Sequence, residues 1–207
     1  MRILNLLDAT LEENELIPSP QLLQFLSSEL KTNISHTFQT KQLPPPTQQA
    51  IDHLLSILAS TSSLALPHLN TLLTDQGLIK LLLQLMYDES QEVLSNNAWF
   101  ALKSRAMRLL ANLSFENPIA QNQVRQYGGL PLIMNSCLFD QQNPYLREWS
   151  VLALRNLCLD NDENQRFVET LKAQGIPEDV QTEMNKLGIS LRVGEDGKVK
   201  FTRHQKQ

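Results

Sequence analysis

The residues in this chain best placed to do chemistry are amides rather than titratable groups. Asn112 closes the run Arg108-Leu109-Leu110-Ala111-Asn112-Leu113, and Asn156 closes Leu152-Ala153-Leu154-Arg155-Asn156-Leu157, 44 residues later. A primary amide carries two N–H donors and a carbonyl acceptor, so repeated amides can bond polypeptide backbone whatever its side chains. Two uses follow: gripping an extended segment of a partner, or satisfying backbone carbonyls of the chain's own neighbouring elements. Catalytic patterns are missing from the sequence: no phosphate-cradling glycine loop, dinucleotide fingerprint, nucleophile elbow or zinc-protease helix occurs. His36, His53, His68 and His204 lack metal-ligand spacing, and the two cysteines and five methionines form no cluster. We therefore expect no enzyme activity, no cofactor and no metal.

A second group surrounds Asn156. Tyr145 and Trp149 lie four residues apart, one helical turn, and read first as packing residues and second as anchors of a subunit interface. Arg147, Glu148 and Arg155 are candidates for an ion-pair cluster, with 148 and 155 two turns apart on one face. Arg108 stands four residues before Asn112, and Leu152 four before Asn156. The protein-binding candidates are thus Asn112, Asn156, Arg108, Arg155, Tyr145, Trp149 and Glu148.

The elements that must position these groups are helices. Asn143-Pro144 is a cap followed by a proline at the first helical position, and Asn117-Pro118 repeats the device. Gly128 ends the helix begun at Asn117, and Gly129-Leu130-Pro131 opens the next; Gly175-Ile176-Pro177 matches it 46 residues on. The unit is a short helix, a glycine, a middle helix, a polar loop and a long helix. Three helices in about 44 residues resemble the armadillo repeat, in which each unit buries its apolar face on its neighbours. Peptide-binding armadillo proteins often place Trp four residues before the ladder asparagine. Arg108 and Leu152 stand there instead, which weakens a peptide-groove receptor as the alternative reading.

Upstream, residues 1–43 form an N-terminal helical segment, with helices expected over 1–16 and Gln21–Lys31 around the breaks Pro18 and Pro20. Thr32–Pro46 reads as extended, ending in the linker Pro44-Pro45-Pro46. Residues 47–188 are expected to hold the repeats: helices from Gln48 to Ala59, His68 to Leu73, Leu78 to Tyr87, and one or two over Gln91–Phe115. A last helix, Glu178–Leu187, precedes residues 189–207, read as a β-hairpin around Gly194-Glu195-Asp196-Gly197 and a basic tail. The expected fold is all-α, an armadillo-like solenoid with a short C-terminal β-hairpin.

Composition bounds the rest. The 207 residues are 42% hydrophobic and 19% charged, with seven glycines. A net charge of -4 disfavours nucleic acid as a partner. The most apolar window, 78–86, contains Lys80 and Gln84 and is too short to cross a bilayer. Cys137 and Cys158 read as buried thiols in a reducing compartment, and the two glycosylation sequons at Asn33 and Asn112 as chance matches. No secretory signal is apparent, so a cytoplasmic location is expected.

Residues 101–201 resemble the C-terminal domain of the ataxin-10 family. The resemblance rests on Lys103-Ser104, Arg108-Leu109, Asn112-Leu113, Asn122-Gln123 and Leu130-Pro131-Leu132-Ile133. It continues through Asn135-Ser136-Cys137, Asp140, Asn143-Pro144, Glu148-Trp149, Arg155-Asn156-Leu157 and Asn164-Gln165, in order and at matching spacing. It implies a non-enzymatic cytoplasmic scaffold that self-associates as a homo-oligomer through this domain and binds other proteins. It also implies links to cytokinesis, centrosomes and basal bodies, with no small-molecule substrate.

Overall fold

The computed structural model describes residues 18–64, 66–75, 77–87, 97–137, 143–170, 189–193 and 199–203. Among these the chain is almost wholly helical. The helices are α1 (Pro20–Thr40), α2 (Pro45–Ser62), α3 (Pro67–Asp75), α4 (Leu78–Tyr87), α5 (Asn97–Ser114), α6 (Pro118–Gln126), α7 (Gly129–Ser136), α8 (Pro144–Cys158) and α9 (Asp162–Thr170). Two strands, β1 (Ile189–Val193) and β2 (Val199–Arg203), pair antiparallel with Leu191 opposite Phe201. The chain divides into two compact units, Met1–Asn164 and Gln165–Gln207. The helices expected over 1–16 and 178–187, the Gly175-Ile176-Pro177 match, the turn at 194–197 and the basic end lie outside the described residues.

In the first unit the long helices stack side by side. α2 packs between α1 and α5, and α5 packs between α2 and α8. The shorter α3, α4, α6 and α7 form a second layer against them, α4 on α5 and α6, and α7 on α8. A helix sandwiched in this way must be apolar on two sides, and α5 is: Leu102, Ala106, Met107, Leu109, Leu110, Ala111 and Leu113 are all buried. α4 shows the same logic, with only Lys80 and Gln84 of its side chains over 78–86 exposed. Its Leu83 is met by Gly129 at the start of α7. A Cβ at position 129 would stand 2.6 Å from a Leu83 methyl and 2.9 Å from one of Val124, so any larger residue there would force these side chains to move.

Two expectations need correction. The stretch Thr32–Thr40 is helical, not extended. Ile34 and Thr37 are buried, and the hydroxyls of Thr32, Thr37 and Thr40 donate to carbonyls four residues back. Burial of one face outweighs the polar look of the segment. Nor is Pro44-Pro45-Pro46 a linker: Pro45 and Pro46 form the first turn of α2, after Pro44 as its cap. Proline suits that turn because the N–H it lacks would have had no intrahelical acceptor.

Candidate interaction site on the long helices

The ladder amides point into the protein. Asn112 on α5 donates from Nδ2 to the Ala59 carbonyl on α2 at 2.9 Å, and Asn156 on α8 donates to the Ala111 carbonyl on α5 at 2.9 Å. Both acceptors sit in the last turn of their helices. The Ala111 carbonyl lacks the i+4 amide, since the Phe115 N–H bonds the Asn112 carbonyl, while the Ala59 carbonyl also receives the Ser63 N–H. The 44-residue repeat therefore places each amide to cap the C-terminus of the long helix before it. Asn112 is half-buried; Asn156 is only 3% exposed, and its Oδ1 is buried without a partner.

Three further amides complete the device, a role for which apolar periodicity carries no signal. Gln121 on α6 turns the two hydrogens of Nε2 to three carbonyls, those of Asn156 (2.9 Å), Leu159 (3.2 Å) and Ser114 (3.2 Å), so that one hydrogen is shared. Asn164 on α9 donates to the Leu157 carbonyl at 2.7 Å, and Asn161 donates to Gln121 Oε1 at 3.0 Å. With the Asn161 amide on the Cys158 carbonyl, every carbonyl from 156 to 159 has a donor. Arg125 locks the outside by donating to Asn122 and Asn164 and pairing with Glu163. The signal available in sequence was the cap spacing: Asn117 accepts from the Ala120 amide as Asn161 does from the Asn164 amide, 44 residues on.

Asn143 departs from its expected capping role. Its side chain makes no cap bond at the start of α8; its Oδ1 accepts instead from Ser104 on α5. A tertiary bond thus takes the oxygen that the local pattern assigned to the helix end.

The remaining candidates lie on the flanks of α5 and α8. Arg108 stacks over the Trp149 ring, 5.4 Å from its centroid, so the position where a peptide-binding tryptophan would stand serves as an inter-helix contact. Removing the ring in Trp149→Ala should cost about 2 kcal/mol, given that it is half-buried. Arg108→Ala should cost about 1 kcal/mol, and a double-mutant cycle in urea should show the two changes to be less than additive. Additive losses would mean that the stack contributes nothing. Tyr145 is 67% exposed and Val151 53% exposed, so Tyr145 is not a core residue. Arg147, Glu148 and Arg155 are exposed and form no mutual ion pair, whereas Arg105 pairs with Asp52 and Arg125 with Glu163. Spacing brought 148 and 155 to one face, but two turns apart they stand about 10 Å from each other along the axis, beyond contact.

Cys137 and Cys158 are half-buried thiols outside any disulfide. Burial pushes both thiols above their ordinary range, partly offset at Cys137 by the Arg147 charge, which keeps them protonated and weakly nucleophilic at neutral pH. An open, largely apolar groove of about 680 Å³ runs between Phe38, Lys80, Leu83, Tyr127 and Leu132. Among the described residues no cluster of three metal-ligating side chains occurs, and no helix is long and apolar enough to cross a membrane.

Stacked helices whose C-termini are capped by amides from other helices define a helical packing domain. Residues 102–202 match a family model named for homo-association and described as the spinocerebellar ataxia type 10 protein domain. An ataxin-10 homolog of Dictyostelium discoideum is 46% identical over 99 residues, covering 48% of this chain and 16% of that protein. Human ataxin-10 is 36% identical over 81 residues, 39% of the chain and 17% of the relative. The Saccharomyces cerevisiae homolog is 34% identical over 95 residues, 46% of the chain and 16% of the relative. No solved structure matches. Residues 102–202 thus carry the homo-association domain of the ataxin-10 family. The matched stretch spans about a sixth of the length of the curated relatives.

Proposed function

We propose that the chain is a non-enzymatic scaffold whose C-terminal helical repeats, armadillo-like in plan, bind a second copy of the chain and other proteins. The observation that supports this most is the homo-association domain over 102–202, together with exposed Tyr145 and Val151 on α8. The cytoplasm is the proposed location, and cell division, through cytokinesis or basal-body work, the proposed process, both carried over from the family resemblance. The peptide-groove alternative loses its chemical basis, because the amides that would grip a peptide donate to Ala59 and Ala111 instead. Sedimentation velocity on the purified chain between 1 and 100 μM tests self-association (about a Kd range of moderate interfaces). A mass that rises with concentration is expected; a strict monomer throughout overturns the reading.

A further inference from the structure

α5 receives α8 through three positions. Ser104 donates to Asn143, Arg108 stacks on Trp149, and the Ala111 carbonyl takes the Asn156 amide. Advanced by the 44-residue repeat, the same positions on α8 are Glu148, Leu152 and Arg155. Glu148 and Arg155 are exposed and Leu152 half-exposed, flanked by exposed Tyr145 and Val151. Among the described residues the stacking face of the array is therefore open at α8, and its chemistry has changed. Where α5 offers a hydroxyl and a small side chain, α8 offers a carboxylate and a guanidinium. Neither makes an ion pair within the described residues.

Tyr145, Glu148, Leu152 and Arg155 follow the 3-4-3 spacing of a helix-pairing seam. The charge order makes that seam complementary to itself. If a second α8 runs antiparallel about a twofold axis between Val151 and Leu152, Glu148 of each copy faces Arg155 of the other. The two Val151–Leu152 pairs then meet at the centre. A twofold contact requires this property, that position i meet j while j meets i. A partner of one charge sign would leave one of the two ions unmatched. We propose that the α8 face carrying Tyr145, Glu148, Leu152 and Arg155 is the surface by which two copies of this chain associate, with their α8 helices antiparallel. The proposal rests on the self-association reading and gives that reading its surface.

Charge reversal in the full chain tests it, because both residues are exposed and neither holds the fold together. Glu148→Arg and Arg155→Glu should each weaken association at least tenfold in sedimentation velocity, each placing like charges face to face. The double variant restores the pairing with its sense inverted and should return to within about threefold of the starting chain. Circular-dichroism melts run alongside, and Glu148→Gln with Arg155→Gln stand in for any reversal that fails to fold. A starting chain that stays monomeric overturns the self-association reading itself. A chain that associates while both reversals leave its affinity unchanged overturns the α8 face alone. Weakened single variants without rescue overturn the antiparallel register. A lower melting temperature at unchanged association assigns the face to another part of the same chain and overturns the proposal as well.

Discussion

Gln121→Ala should lower the unfolding free energy by about 3 kcal/mol, the largest loss expected of any polar substitution in the described residues. Gln121 is 2% exposed, and its one amide group serves the carbonyls of Asn156, Leu159 and Ser114. Alanine leaves those acceptors buried at the ends of two long helices with nothing in their place. Each uncompensated group costs about 1–3 kcal/mol, less where water reaches the partly exposed Leu159. Urea denaturation followed by circular dichroism would read the loss as a lower midpoint at unchanged slope. Gln121→Glu sharpens the test. A carboxylate has no proton to donate, and burial among carbonyls raises its pKa, so the protonated form is the one the fold accepts. Stability of this variant should be greater at pH 5 than at pH 7 and fall as pH rises through the raised pKa. A Gln121→Ala loss below about 1 kcal/mol would show that the helix ends find water instead.

Asn156→Ala and Asn112→Ala should differ, although the two residues occupy equivalent repeat positions. We expect about 2 kcal/mol for Asn156→Ala and under about 1 kcal/mol for Asn112→Ala. The reason lies in the acceptors. The Ala59 carbonyl also receives the Ser63 amide at 3.1 Å and the Ser62 hydroxyl at 2.9 Å, so it keeps partners when Asn112 is removed. The Ala111 carbonyl has no such reserve, because the Phe115 amide that would continue α5 turns to Asn112 instead. The unpartnered Oδ1 of Asn156 moderates the larger figure, since alanine also relieves a buried acceptor. Thermal melts of the two variants would decide it, and equal losses would refute this account of the helix ends.

Much of the helical plan was legible because helix signals are local. The Asn-Pro starts at 117 and 143, the glycine at 128 and the apolar faces of α4 and α5 act over one or two turns, within reach of pattern reading. Failures came where distant contact overrode local signals. Thr32–Thr40 looks like a polar connection, yet it forms a helix once Ile34 and Thr37 are covered. Asn143 looks like a cap until Ser104 claims its oxygen.

For the candidate site, the 44-residue recurrence of Asn-Leu singled out Asn112 and Asn156, and the order of residues between 101 and 201 carried the family. What these amides bond was beyond sequence. An amide is equally suited to a partner's backbone and to the chain's own, and only the stacking of α2, α5 and α8 brings helix-end carbonyls within 3 Å of them. The same stacking decided which charges matter. Arg125 is drawn into the cap network, while Glu148 and Arg155 remain exposed, because α8 presents to solvent the face that α5 buries. Sequence by itself determined most of the described helices, the Asn-Leu recurrence and the kinship of residues 101–201; tertiary structure alone decided which polar groups hold the stack together and which are left facing outward.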